Sequence, residues 1–145
     1  MLFIRVVFFS ILLIIYPTQT NSSALLNELY INPIHQDRPL AIIFNNSLNP
    51  CQNCNKAIAI ISQILKKNYY NQIHLYLIDL AKHPEFIPTF NLQGPLNLVL
   101  IQISDKSSFG YQKLTGLQSK IYDINSLTHQ IEFMFANFLN IRPQN

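Results

Sequence analysis

Cys51 and Cys54 are the only two cysteines of this 145-residue chain, and Gln52 and Asn53 separate them. Two thiols at that spacing fit within one helical turn, close enough for redox chemistry or a shared metal. A disulfide between them closes a loop too short to restrict the unfolded chain much, so scaffolding alone is a poor reason for the pair. A metal centre would need further ligands. There is no second CxxC and no close HxxxH pair, and His35, His74, His83 and His129 are dispersed. No metal and no cofactor is therefore expected. Dithiol chemistry, in which the thiolate is the reactive species, is the first reading, and a disulfide that merely stiffens the helix start is its alternative.

The surrounding elements must position that pair. Leu40 to Phe44 is an unbroken apolar run, the pattern of a strand buried on both faces. Asn45 to Pro50 is rich in turn formers. From Cys51 to Lys67, Ala57, Ile58, Ile61, Ile64 and Leu65 recur at three- and four-residue steps, which predicts an amphipathic helix. Pro50 presets φ at its start, and Lys66 and Lys67 suit the negative end of its dipole. Ile73 to Leu80 reads as a second strand and Pro84 to Phe90 as a short helix. Leu96 to Ile103 reads as a third strand, Ser104 to Gly110 as a hairpin loop and Tyr111 to Leu114 as a fourth strand. Gly116 turns the chain. Asn125 or Ser126 can then cap a last helix to about Asn140, with Leu127, Ile131, Phe135, Phe138 and Leu139 in one stripe. The order predicts an α/β fold: a four-stranded mixed sheet flanked by helices on both faces.

Composition bounds the rest. The length suits one domain, and 49% apolar residues can build a core without a disulfide framework. The formal charge is +3 with the basic residues scattered, so no nucleic-acid footprint is expected. Arg5 precedes an almost wholly apolar run from Val6 to Tyr16; Pro17 ends it, and Ser22-Ser23-Ala24 offers small residues for cleavage. Residues 1–24 thus read as a secretory signal, with a retained membrane anchor as the alternative; the run is short for a span. Residues 25–39 read as an N-terminal helical stretch (Ala24 to Ile31) and linker, and residues 40–142 as the folded domain. The expected location is exported, periplasmic or otherwise extracytoplasmic. Membrane contact is expected only if the N-terminal segment is kept.

Strand, loop, CxxC, helix, in this order of elements, resembles the thioredoxin-like superfamily over about Leu40 to Leu139. Asp79 closes the second strand, as an acidic residue commonly does in that family. Ala81 to Pro95 tracks the family's short helix and the loop before its cis-proline, and Gly116 matches the turn after the last hairpin. Pro95 directly precedes an apolar strand, whereas its rival Pro88 falls in the short helix. The chain also departs from the pattern. Pro50 stands where a tryptophan is common. Gln52-Asn53 replaces Gly-Pro, Gly94 replaces a larger residue, and no carboxylate lies at Ile43 to Asn45, where the family has a buried acid.

The resemblance implies a divergent, exported thiol–disulfide oxidoreductase. Cys51, at a helix N-terminus, would be the attacking thiol and Cys54, one turn in, the resolving thiol. Pro50, Gln52 and Asn53 would modulate the sulfurs. A cis Gly94–Pro95 bond would face them and present backbone to a bound peptide. Protein thiols or disulfides and a redox partner protein are the implied partners. Two other readings stand beside this one: a non-catalytic peptide-binding module that grips near Pro95 with a static disulfide, and, more weakly, a metallochaperone.

Overall fold

The computed structural model describes residues 38–105 and 108–144. The expected signal and the expected helix at Ala24 to Ile31 lie outside the described residues. The described elements begin with β1 (Leu40–Asn45), α1 (Cys54–Tyr69), β2 (His74–Asp79) and α2 (Phe86–Phe90). The chain continues through β3 (Leu96–Asp105), β4 (Ser108–Thr115), α3 (Leu117–Lys120) and α4 (Ile124–Met134). A π-helical stretch, Phe135–Leu139, prolongs α4. Among these residues the strands form one four-stranded sheet in the order β2-β1-β3-β4. β1 runs parallel to β2 and antiparallel to β3, and β3–β4 is an antiparallel hairpin, so the sheet is mixed.

The alternation of side chains along β1 divides the core in two. Leu40, Ile42 and Phe44 face Phe86, Phe90 and Leu92, on the side covered by α2. Ala41 and Ile43 face Ala57, Ile61, Leu65 and Tyr69 of α1 and Leu127, Ile131 and Phe135 of the last helix. Both faces of β1 are dry, which is why its sequence is continuously apolar. Each fully buried Leu, Ile or Phe here contributes about 1.5–3 kcal/mol of transfer free energy. That fixes α1 over the centre of the sheet, and with it the cysteine pair at its start.

Several boundaries differ from expectation, each for a physical reason. α1 begins at Cys54, not at Cys51. Cys51 lies in the turn before it, where the Cys54 amide donates to the Cys51 carbonyl at 3.3 Å. The β3–β4 loop is shorter than Ser104 to Gly110, because β4 already starts at Ser108. The rings of Phe109 and Tyr111 pack edge-on against Phe90, at 6.0 and 5.0 Å between centroids, and this tertiary contact outweighs local turn propensity. α3 was not anticipated. Gly116, which precedes it, takes a left-handed φ of 67°, and the helix's first residue, Leu117, is buried in the core. The cap of α4 is Asp123, not Asn125 or Ser126: its carboxylate accepts from the Ser126 amide at 3.0 Å.

Candidate dithiol site

The loop from Asn46 to Asn53 carries the cysteines out of β1 and into α1. It is anchored at its β1 end by backbone. The Asn46 amide donates to the Pro95 carbonyl at 3.0 Å, and the Leu80 amide donates to the Asn45 carbonyl at 2.7 Å. Inside the loop, Asn46 closes a turn by accepting from the Leu48 amide through its side chain at 3.1 Å and from the Asn49 amide through its carbonyl at 3.0 Å.

Asp79, at the end of β2, holds the same loop from the side. Its carboxylate accepts from the Ser47 amide at 3.1 Å, the Ser47 hydroxyl at 2.7 Å and the Ala81 amide at 3.0 Å. The Ala81 amide first, then Ser47, hold its carboxyl below the usual carboxylate range. The sequence reading of Asp79 as a strand-end residue is correct, and the structure adds the loop it ties down.

Cys51 and Cys54 are joined in a disulfide with their Cα atoms 5.3 Å apart. They differ in access. Cys54 is 5% exposed and belongs to the core cluster under α1, whereas Cys51 is half-buried and packs on its edge. One more accessible cysteine and one shielded in the core is the asymmetry that attack and resolution require. Pro50 and Gln52 are exposed beside them. Asn53 is the residue at the N-terminus of α1, and its Nδ2 donates to the Tyr122 hydroxyl at 2.7 Å.

The structure brings Pro95 to the cysteine loop through its carbonyl, but corrects the expected geometry. No cis peptide bond occurs among the described residues, so the Gly94–Pro95 bond is trans. Gly94 instead takes a left-handed φ of 73°, and the chain reverses there by glycine torsion. Pro88 lies within α2, as expected. β1 offers no carboxylate near the pair; its last residue, Asn45, sits between Leu96 and Asp79 in register.

Among the described residues, no three His, Cys, Asp or Glu side chains gather to hold a metal. His83 is taken up locally, with Nδ1 3.4 Å from the Glu85 carboxylate. A cleft of about 370 Å³ between β4 and α4, lined by Lys113, Leu114, His129, Phe133 and Met134, includes no residue of the cysteine loop. Sequence reading missed Ser47 and Tyr122. Ser47 looked like any turn residue, and Tyr122 meets Asn53 across 69 positions of sequence, a distance that no local pattern bridges.

No protein-family model matches the chain, and no curated protein matches it by sequence. Solved structures do. A thioredoxin of Plasmodium falciparum superposes with a TM-score of 0.52 at 19% identity, covering 78% of this chain and 79% of that one. The germline-specific thioredoxin Deadhead of Drosophila melanogaster superposes with a TM-score of 0.50 at 15% identity, covering 77% of this chain and 90% of that one. The fold is the thioredoxin fold, as the sequence resemblance implied, and a Cys51–Cys54 CxxC pair stands at the start of its first described helix.

Proposed function

We propose that this thioredoxin-fold chain is an extracytoplasmic thiol–disulfide oxidoreductase that acts on protein thiols or disulfides through Cys51 and Cys54. The fold and the CxxC disulfide support a redox function in general. The observation that carries the finer reading is the unequal burial of the two cysteines joined in one disulfide at the start of α1. Export is supported by the Arg5-led apolar run that ends at Pro17.

In the reducing direction, the Cys51 thiolate attacks one sulfur of a substrate disulfide. An S–S bond forms between the proteins, and one substrate thiolate leaves. Cys54, deprotonated, then attacks the Cys51 sulfur, the second substrate thiolate leaves, and the Cys51–Cys54 disulfide is restored. Two electrons pass to the substrate, and a redox partner protein returns them. The reverse sequence oxidises a substrate dithiol. Gln52 and Pro50 border the half-buried Cys51, and the Gly94–Pro95 segment lies against the same loop, so an extended substrate strand would be read there.

The test is equilibration of the purified protein against glutathione or dithiothreitol buffers, with free thiols counted by alkylation and mass. The expected result is a reversible two-electron transition within the range of known oxidoreductases, roughly −270 to −120 mV. A pair that stays oxidised well below about −300 mV would instead make the disulfide structural and the chain a binding module.

A further inference from the structure

We propose that Tyr122 is a positioning residue of the dithiol site, acting through Asn53 to keep the start of α1 open to the sulfur of Cys51. The inference rests on the dithiol reading above and concerns how that site is tuned.

Asn53 occupies the N-terminal position of α1, and asparagine is among the strongest residues for capping such a position with its side chain. Here it does not cap: its side chain makes no hydrogen bond to the first turn. Its amide is turned away to the Tyr122 hydroxyl, at 2.7 Å. Tyr122 is 79% exposed, so packing does not explain its position. Its neighbours do. Ile121 is buried in the same core cluster as Cys54, and Asp123 caps α4 through the Ser126 amide. The backbone at Tyr122 is therefore anchored on both sides, and its hydroxyl reaches the CxxC turn through the bond to Asn53.

A capping carbonyl and a thiolate at a helix start compete for the same N–H groups and the same positive end of the dipole. With Asn53 engaged by Tyr122, those groups stay available when the disulfide opens and Cys51 becomes negative. Tyr122→Phe removes the acceptor and leaves Asn53 free to cap. The Cys51 thiolate then loses stabilisation, so its pKa rises. The reduced form loses the same stabilisation, so the pair becomes more reducing.

The experiment is a double-mutant cycle on the full protein, read by the pH dependence of Cys51 alkylation after reduction and by the redox midpoint. Tyr122→Phe should raise the Cys51 pKa by about half a unit, in line with the strength of helix-end charge effects, and lower the potential. In an Asn53→Ala background, where nothing can cap, the same substitution should leave both unchanged. Equal pKa values in Tyr122→Phe and the parent, or an equal shift in the Asn53→Ala background, would overturn the proposal. A parent pair that resists reversible reduction would sink the oxidoreductase reading instead. The alkylation profile after forced reduction would still report the Tyr122–Asn53 coupling.

Discussion

Ser47 meets the carboxylate of Asp79 twice, by its amide at 3.1 Å and by its hydroxyl at 2.7 Å. A single strand-end carboxylate thus holds the loop that delivers Cys51 to α1. Because these donors favour the charged form, the carboxyl is held below its ordinary value in the folded state. A depressed folded pKa gives stability that is present above the unfolded carboxylate value, about 3.9. It is lost as pH falls through the folded value. Asp79→Asn should therefore flatten the acid limb of the stability curve below about pH 4. It should also speed amide exchange at Ser47 and Ala81. Unchanged exchange at both amides would show that the loop is held without Asp79.

The burial of Cys54 predicts a trap. In Cys54→Ser the accessible thiol can still attack, but nothing resolves the product, so a stable mixed disulfide with substrate should accumulate on non-reducing gels. Cys51→Ser should lower reductase or oxidase activity to background and trap nothing. Full activity in Cys51→Ser would remove the proposed mechanism.

Phe90 is fully buried at the centre of the aromatic face, 5.8 Å from Phe44 and 6.0 Å from Phe86 between ring centroids. It also supports Tyr111 of β4 from below. Phe90→Ala should cost about 3–5 kcal/mol in urea unfolding. The loss should leave the redox midpoint near the parent value wherever the protein remains folded, since none of these rings belongs to the cysteine loop. A cost under about 1 kcal/mol would mean that this face collapses to fill the gap.

The layered fold was readable from sequence because its signals are local. The apolar run of β1, the four-residue spacing of Ala57, Ile61 and Leu65, and the proline before β3 each follow from one element's own burial. The cysteine pair was readable because it is the chain's whole thiol inventory. What escaped depends on contacts distant in sequence. Phe109 extends β4 only because Phe90 waits across the sheet, and Tyr122 touches the site only once α3 has folded back over α1. The trans Gly94–Pro95 bond escaped for another reason. Glycine can reverse the chain by its own torsion, so the residue type allowed both geometries.

Tyr69, at the end of α1, shows the same dependence on distant packing, and it yields a test in alkali. Its ring lies flat on Phe135, 3.9 Å between centroids and 9° between planes, and the residue is fully buried. Its hydroxyl finds no hydrogen-bond partner among the described residues. Burial, and then the nearby charge of Glu132, push its ionisation from an ordinary value of 10.0 up to about 12. A raised folded pKa means stability that is complete below the unfolded value and declines as pH climbs through the folded one. The parent should therefore lose stability between about pH 10 and pH 12, and Tyr69→Phe should lack that part of the alkaline slope. At neutral pH the variant keeps the stacked ring and sheds a buried hydroxyl whose desolvation is uncompensated. An unmet buried polar group costs about 1–3 kcal/mol, so the variant should be as stable as the parent or more stable by about 1 kcal/mol. Urea unfolding at pH 7 and at pH 10.5 (about half a unit above the ordinary tyrosine value) measures both effects. A clear loss of stability at neutral pH would mean that the hydroxyl is hydrogen-bonded in solution, and that its burial is compensated after all.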